Sequence, residues 1–340
     1  MKNRRGLALI LSIVVAVALF AGCTPAASPP AGNVPPAGGT PEPAGDRDLF
    51  VGVVLMALNS DYWRLVQSGA LGAGTQLGIN VDVVGPGSEA DIMGQIAMVE
   101  DMLARGIDAL VLSRNDPDAL VDIARQALDA GIPVVTIDGD ISDPTARNMF
   151  IGTENYDAAR QAGYYMANLI PEGSEVAIIR GLAGAPTHDL RQGGFQSAIE
   201  EAGMNVVTVQ AADSDRALGV SVAENIMLAN PNVRGIFATN DEMALGAFEA
   251  VRSMGKAGEV VIIGFDGSPD AINSIIAGEL SASVAQMPVL MGATAVEMAV
   301  KILEGQSVPE HIPLDVAVLD YTNAASFMED IQAALRAVGH

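Results

Sequence analysis

The chain has 340 residues, of which half are apolar and 17% are charged, so it can bury a globular core and is not globally disordered. Its 41 acidic against 18 basic residues give a net charge of −23, which argues against nucleic acid as a partner, because phosphate binding requires clustered Lys and Arg. One cysteine excludes an intramolecular disulfide and a multi-cysteine metal site. At roughly 100–200 residues per domain, the length predicts two domains or one large one.

The N-terminus has the organisation of a signal peptide. A short basic segment precedes 15 uncharged, mostly apolar residues, 6–20. This run is short for a membrane-spanning helix, which needs about 20 residues, and it suits a signal sequence. Two small residues and Cys23 follow, an arrangement that resembles a bacterial lipobox, in which the cysteine is lipidated. We therefore predict a signal peptide over 1–22 and lipidation of Cys23; a plain secretory peptide and an uncleaved membrane anchor are the alternatives.

A segment rich in Pro, Ala, Gly and Ser follows Cys23 and extends to residue 48. It has no apolar periodicity and cannot bury enough surface to fold, so residues 23–48 are predicted to form a disordered tether. Such a tether holds a soluble domain away from a membrane surface, and the folded body is expected to begin near Leu49.

From Leu49 onward, predicted strands and helices alternate. Residues 51–56 form a continuous apolar run, as expected of a strand that is covered on both faces. Several predicted helices end at a glycine that is followed by an apolar strand, which indicates a left-handed C-cap and a repeated βα unit. In the first half, strands are predicted at 51–56, 81–84, 109–112 and 134–137, with helices at 63–77, 90–104 and 119–130.

The same alternation restarts near residue 150. Repeated βα units imply parallel sheets with right-handed crossovers, and hence two doubly wound α/β domains of similar size. In such sheets, ligands bind outside the carboxyl ends of the strands. The second half predicts strands at 150–152, 175–179, 205–209, 235–238 and 260–264, helices at 157–169, 191–202, 217–229 and 243–254, and a terminal helix at 324–338 that docks on the second domain.

Catalytic signatures are missing from the sequence. It has no P-loop, no HExxH zinc motif and no nucleophile elbow, and the Gly-rich stretch at 72–78 falls inside a predicted helix rather than at a strand-to-helix turn. His188, His311 and His340 are far apart and are expected to be solvated loop residues. The sequence therefore predicts no enzyme, no metal site and no cofactor.

Polar residues instead recur where predicted strands end, often beside aromatic residues. Helix N-capping would explain any single Asp, Asn or Ser at such a position, and a core position would explain Trp63. Carboxylates, amides and aromatic rings together match a polyhydroxylated ligand, because they pair with hydroxyl groups and cover the apolar face of a sugar. The set predicts a binding cleft and consists of Ser60, Tyr62, Trp63, Ser113, Asn115, Asp138, Asn240, Asp241, Asp266 and Gln286.

Several segments, in chain order, resemble the ribose-binding protein group of the type I periplasmic sugar-binding proteins of ABC transporters. They are 58–63, 133–138, 182–195, 239–247, 263–270 and 285–288. The resemblance implies two doubly wound parallel-sheet domains joined by a hinge that the chain crosses three times, near residues 153, 286 and 315. One lobe would comprise residues 49–152 plus 287–315, and the other would comprise 153–286 plus 316–340.

The resemblance also implies a ligand site. Its polar side chains would hydrogen-bond the sugar, and the rings of Tyr62 and Trp63 would stack on it. The implied ligand-binding residues are Ser60, Tyr62, Trp63, Ser113, Asp138, Arg191, Ser214, Asn240, Asp266 and Gln286.

Three departures from the ribose-binding pattern bear on the ligand. Gly139 replaces an arginine, Ser214 replaces an aromatic residue and Met56 replaces a small polar residue. One donor fork and one stacking ring are therefore expected to be missing, and Glu154 or His188 is a candidate to reach into the vacated space. These departures argue against ribose and leave a hexose, a deoxy sugar, a pentitol and a cyclitol open.

Taken with the signal and the tether, the resemblance predicts an extracytoplasmic solute-binding lipoprotein of an ABC importer. It would bind a monosaccharide or polyol by hinge closure, as a monomer, and would have an ABC permease and, through the lipid on Cys23, a membrane as partners. A sensor that presents the same ligand to a membrane receptor or histidine kinase is the alternative. A furanosyl signal molecule, a nucleoside and a branched amino acid are further alternatives, although this carboxylate-rich set suits hydroxyl groups better than an amino acid.

Overall fold

The computed structural model describes residues 48–337 and Gly339. The predicted signal peptide, Cys23, the tether up to residue 47 and His340 lie outside the described residues. Within the described part of the chain, no helix combines the length and the apolar character that crossing a bilayer requires.

The described chain alternates strands and helices along nearly its whole length. The strands are β1 (Phe50–Val54), β2 (Asn80–Val84), β3 (Ala109–Leu112), β4 (Val134–Ile137), β5 (Met149–Thr153), β6 (Glu175–Arg180), β7 (Asn205–Ala211), β8 (Val233–Ala238), β9 (Val261–Asp266), β10 (Ala282–Ala285), β11 (His311–Leu314) and β12 (Ala317–Leu319). The helices are α1 (Asp61–Leu77), α2 (Ile92–Ala104), α3 (Val121–Asp129), α4 (Asn155–Ala167), α5 (Pro186–Glu201), α6 (Arg216–Ala229), α7 (Asp241–Ser253), α8 (Pro269–Ile276), α9 (Pro288–Leu303) and α10 (Ala324–Ala337).

The strands form two sheets of the same design. The first has the order β11-β5-β4-β3-β1-β2 and is parallel throughout. The second has the order β12-β10-β9-β8-β6-β7 and is parallel except for β12, which runs antiparallel to β10. We call each sheet with its packed helices the first and the second lobe. The predicted fold class, two doubly wound α/β domains with mostly parallel sheets, is confirmed.

Within the described residues, the chain passes between the sheets after β5, after β10 and between β11 and β12. Helix α9 returns the chain to the first sheet, where it packs on α1, β3 and β4. Gly69 of α1 and Gly292 of α9 permit this close approach, since a Cβ on Gly69 would lie 2.0 Å from the backbone oxygen of Val289. The packing fixes α1, whose first turn lines the cavity described below.

Several elements differ from the sequence predictions. Helix α5 begins at Pro186, five residues before the predicted start, because proline is well suited to the first helical position. The elements α8, α9, β11 and β12 were not predicted, and His311 lies in strand β11 rather than in a loop. Helix α10 packs on α8 but also contacts α9 and α1, so it touches helices of both lobes rather than of the second alone.

Candidate functional site

A cavity lies between the two lobes, at the carboxyl ends of their strands. The centre of a water-sized sphere can occupy about 30 Å³ of it, more than the roughly 10–15 Å³ that one water molecule needs on this measure. The described residues that line it are Met56, Ser60, Tyr62, Trp63, Glu89, Arg114, Asn115, Asp138, Leu182, Ala185, Thr187, His188, Arg191, Asn240 and Asp266.

The first turn of α1 brings two aromatic side chains to this cavity. Tyr62 donates its hydroxyl hydrogen bond to Asp138 Oδ1 at 2.7 Å. The ring of Tyr62 meets that of Trp63 edge-on, with the ring centroids 5.0 Å apart. Ser60 precedes both as the N-cap residue of α1, without a side-chain capping hydrogen bond. Tyr62 thus both lines the cavity and orients the carboxylate of Asp138.

A series of polar contacts runs from Trp63 through Glu89 to His188 on the other side of the cavity. Its Nε1 donates to Glu89 Oε1 at 3.2 Å, and Glu89 Oε2 lies 3.8 Å from Nε2 of His188 in the second lobe. His188 also contacts the hydroxyl of Thr239 through Nδ1 (2.8 Å) and that of Ser214 through Nε2 (3.1 Å). The prediction that His188 is a solvated loop residue is therefore wrong: it is buried, lies on α5 and faces the cavity.

The second lobe holds a firmly anchored guanidinium group. Arg191 Nη1 donates to Asp266 Oδ1 at 3.3 Å and to the backbone oxygen of Thr239 at 3.0 Å. Its Nε donates to Asn155 Oδ1 at 2.7 Å, and its Cζ lies 3.9 Å from the centroid of the Phe265 ring. These contacts on several sides fix Arg191 in the wall of the cavity.

Asp138 and Asp266 occupy equivalent places in the two lobes, since β4 and β9 have the same position in sheets of the same order. Both have a positive φ, 60° and 128°, which non-glycine residues seldom adopt. Backbone strain of this kind persists only where the surrounding structure fixes it, and it clusters at binding sites. The two carboxylates therefore face the cavity as preset hydrogen-bond acceptors, one from each lobe.

Four of the predicted residues do not line the cavity. Gln286 Nε2 donates to Asp266 Oδ1 at 2.8 Å, and its Oε1 accepts from Thr153 Oγ1 at 2.7 Å, so it links the end of β10 to the end of β5. Ser113 and Ser214 are buried beside the cavity. Asp241 is buried as well, and its carboxylate accepts hydrogen bonds from Ser283 Oγ and the backbone nitrogen of Ser268. The predicted residues that do line the cavity are Ser60, Tyr62, Trp63, Asn115, Asp138, Arg191, Asn240 and Asp266.

Sequence reasoning left Glu89, Arg114 and His188 out of the predicted set. All three obey the strand-end rule, because Glu89 follows β2, Arg114 follows β3 and His188 follows β6. That rule would have found them. The late predicted start of α5 hid His188, and the positions carried over from the resemblance did not include Glu89 or Arg114.

Arg114 fills the space beside Gly139. A Cβ on Gly139 would lie 2.9 Å from Arg114 Cζ, and Arg114 Nε donates to the backbone oxygen of Asp140 at 2.9 Å. The expected loss of a donor fork is therefore corrected, because a guanidinium group reaches the same place from position 114. Of the two candidates for the vacated space, His188 lines the cavity and Glu154 is exposed.

Burial and hydrogen bonding set the ionisation of the cavity residues. Burial, and then the carboxylate of Asp138, raises the pKa of Tyr62 well above its ordinary value, so Tyr62 stays a donor. Burial alone would raise the pKa of Glu89, but its polar neighbours His188, Ser214 and Trp63 outweigh it and lower that pKa. Burial also raises the pKa of Asp266 well above its ordinary value. Among the described residues, no three His, Cys, Asp or Glu side chains are grouped so that they could hold a metal ion.

Comparison with known sequences places this geometry among related proteins. A family described as a periplasmic binding protein domain matches residues 51–307. The chain is 35% identical over 269 residues to the ribose import binding protein RbsB of Salmonella typhimurium, which covers 79% of this chain and 90% of that protein.

Solved structures give the same picture. One similar structure is an ABC transporter periplasmic solute binding protein from Actinobacillus succinogenes with bound D-allose, with a TM-score of 0.78 and 29% identity over 82% of this chain and 99% of that one. Another is an ABC transporter solute binding protein from Agrobacterium vitis with bound D-fucose, with a TM-score of 0.77 and 33% identity over 81% of this chain and 96% of that one.

Proposed function

The chain belongs to the periplasmic binding proteins, in the ribose-binding group, and from this premise we propose that it binds a monosaccharide or related polyol between its lobes and passes it to an ABC permease. As a member of this family it works outside the cytoplasm. The prediction that it is not an enzyme is confirmed, because its relatives are binding proteins. Lipidation of Cys23, attachment to a membrane and the monomeric state stay predictions.

One observation carries the proposal: two buried aspartates, one from each lobe, present fixed carboxylates to one cavity. A carboxylate accepts hydrogen bonds from neighbouring hydroxyl groups, which a sugar or polyol supplies on every side. Asp138 and Asp266 are 5% and 8% exposed, so a ligand that bridges them leaves both carboxylates paired. Arg191 adds donors beside Asp266, and Tyr62 and Trp63 add apolar ring surface.

Hinge closure follows from the same geometry. Residues of both lobes line the cavity, and most of them are buried. A sugar therefore enters when the lobes separate and then stabilises their closed arrangement by contacting both. The three passages of the chain between the sheets, near residues 153, 286 and 315, are the proposed hinge. They divide the protein into the lobes 49–152 plus 287–315 and 153–286 plus 316–340.

The ligand is proposed to be a sugar or polyol other than ribose. Ser214 stands where the resemblance expects an aromatic residue, and its hydroxyl contacts Nε2 of His188, which lines the cavity. This wall of the cavity therefore offers a polar imidazole to a hydroxyl group in place of an apolar ring face. The relatives named above carry ribose, D-allose or D-fucose in their descriptions. They are import or solute-binding proteins, which gives the sensor alternative no support.

A thermal-shift screen over pentoses, hexoses, polyols and cyclitols tests the proposal, because a ligand that binds the folded state raises its stability. Calorimetry with the best compound should then give a one-to-one complex with a Kd near the micromolar range, or about −8 kcal/mol. A nucleoside and a branched amino acid serve as comparison compounds. The proposal is wrong if only these, or none of the compounds, bind. Loss of uptake of the bound sugar in cells that lack the chain would establish import over sensing.

A further inference from the structure

The loop after β3 contains an unusual concentration of unpaired polar atoms. In the described part of the chain, five buried side-chain nitrogen or oxygen atoms have no hydrogen-bond partner. Four of them belong to three consecutive residues: Ser113 Oγ, Arg114 Nη1, and Nδ2 and Oδ1 of Asn115. Buried polar groups are nearly always paired, and each orphan is costly. Three of these atoms belong to Arg114 and Asn115, which both line the cavity, so a ligand there could complete their hydrogen bonds.

Arg114 is built into the wall of the cavity. The residue is 2% exposed and lines the cavity, and its Nε donates to the backbone oxygen of Asp140 at 2.9 Å, while Nη1 has no hydrogen-bond partner. The guanidinium group lies so close to Gly139 that a Cβ there would be 2.9 Å from Cζ and 3.0 Å from Nη1. The glycine therefore provides the space in which this guanidinium group sits.

Asn115 is held beside Arg114 by a buried glutamine. Gln95 Oε1 accepts from the backbone nitrogen of Asn115 at 2.8 Å, and Gln95 Nε2 donates to the backbone oxygens of Leu55 and Ser113 at 2.9 and 2.6 Å. The glutamine thus holds the backbone oxygen of Ser113 and the backbone nitrogen of Asn115. The amide side chain of Asn115 lines the cavity with its donor and its acceptor both unused.

We propose that Arg114 and Asn115 contact the ligand directly, and that Arg114 determines which sugar or polyol is bound. The unpaired atoms offer donors from both side chains and one amide acceptor, which suits adjacent hydroxyl groups on the part of the ligand that faces the first lobe. The inference rests on the proposed function and sharpens it. Among the described residues that line the cavity, two guanidinium groups accompany three carboxyl groups, and the hydroxyl groups of a sugar or polyol can pair with both kinds because they donate and accept.

The test measures affinity by calorimetry for wild type and variants, with whichever of D-ribose, D-allose, D-fucose and myo-inositol binds the wild type most tightly. Arg114→Gln and Asn115→Ala should each weaken binding by about 10- to 100-fold, because a hydrogen bond or charged donor in a buried site is lost. Arg105→Gln is the matched control, since Arg105 pairs with Asp82 on the surface, and it should bind as the wild type does. Monodeoxy derivatives of the probe identify the contact. Removing the hydroxyl group that Arg114 binds should reduce the affinity of Arg114→Gln less than it reduces the affinity of the wild type.

Gly139→Ala is a further test variant, and it displaces Arg114 without itself touching the ligand. Its Cβ meets the flexible end of Arg114 rather than backbone, so the protein should fold with an unchanged melting temperature while the guanidinium group is displaced. Binding should weaken about as much as in Arg114→Gln. The inference is overturned if the wild type binds the probe while Arg114→Gln, Asn115→Ala and Gly139→Ala all bind it with wild-type affinity. It is also overturned if every deoxy derivative loses the same factor in affinity for the wild type and for Arg114→Gln. If the wild type binds none of these four compounds, the inference fails, and the proposed function fails with it only when the whole screen of pentoses, hexoses, polyols and cyclitols also yields no ligand. Either of the two former results overturns the inference alone.

Discussion

Glu89 and His188 approach each other across the cavity from different lobes, with Oε2 and Nε2 3.8 Å apart. Both side chains are buried, and each has further partners within its own lobe: Trp63 for Glu89, and Thr239 and Ser214 for His188. The two groups are therefore positioned before they meet. Their contact exists only while the lobes are close together, so it favours closure.

Glu89→Gln should consequently weaken the apparent affinity for the bound sugar by about 5- to 30-fold. The substitution removes a charge that faces His188 and shifts the population toward separated lobes. This lowers the fraction of protein molecules in the closed arrangement that holds the ligand. Calorimetry measures the effect, with Glu100→Gln on the exposed face of α2 as the control. Equal affinity in wild type and Glu89→Gln would show that the contact does not contribute to closure.

Asp266→Ala should weaken binding by at least about 30-fold, since removing one partner of a buried charged contact typically costs about 2–5 kcal/mol. It leaves Arg191 without its carboxylate in the cavity wall. Asp82→Ala is the control, because Asp82 pairs with Arg105 on the surface. A variant that folds and binds the sugar with wild-type affinity would remove Asp266 from the site.

Stability should fall as the pH rises from about 4 to about 7. Burial raises the pKa of Asp241 to about 7, so the folded state holds a proton that the unfolded state releases at lower pH. Unfolding then releases a proton in this window, and stability decreases with rising pH until the folded-state carboxyl has also ionised. Denaturant titrations between pH 4 and 8 measure the slope.

Asp241→Asn should reduce that slope without abolishing it, because the pKa of Asp266 is also raised and acts in the same direction. The amide retains an acceptor for the backbone nitrogen of Ser268, to which Asp241 Oδ2 now binds at 2.7 Å. An unchanged slope in this variant, or stability that increases with pH across the window, would contradict the prediction.

Ile331→Ala should lower the free energy of unfolding by about 2–4 kcal/mol, as expected for truncating a buried isoleucine. Ile331 is 8% exposed and packs with the core of the second lobe, together with the partly buried Phe327 and Leu335 of α10. Leu228→Ala is the control, since Leu228 is 72% exposed. Equal destabilisation by both substitutions would mean that α10 does not depend on this packing.

The sequence predicted the buried parallel strands well, because runs such as 109–112 and 134–137 are apolar throughout and bounded by turns. It missed α9, whose small and apolar residues on most sides give no amphipathic pattern, and β12, whose three residues are too few to show alternation. The alternation also does not reveal that β12 runs antiparallel.

Within the site, strand-end position predicted Asp138 and Asp266, but it did not indicate which way each side chain points. Ser113 follows β3 and is buried beside the cavity, while its neighbour Arg114 lines the cavity. The role of Gly139 also depends on a contact with a residue 25 positions earlier, which no local pattern encodes. Spatial neighbours of this kind require the folded structure.

The strand order has a consequence for biosynthesis. The edge strands β11 and β12 come from residues 311–319, so neither sheet is complete until almost the whole chain has been made. A chain that stops earlier leaves β5 and β10 with unpaired edges that invite aggregation. Completion of both sheets therefore waits for the C-terminal residues, and one truncation before residue 311 exposes a sheet edge in each lobe at once.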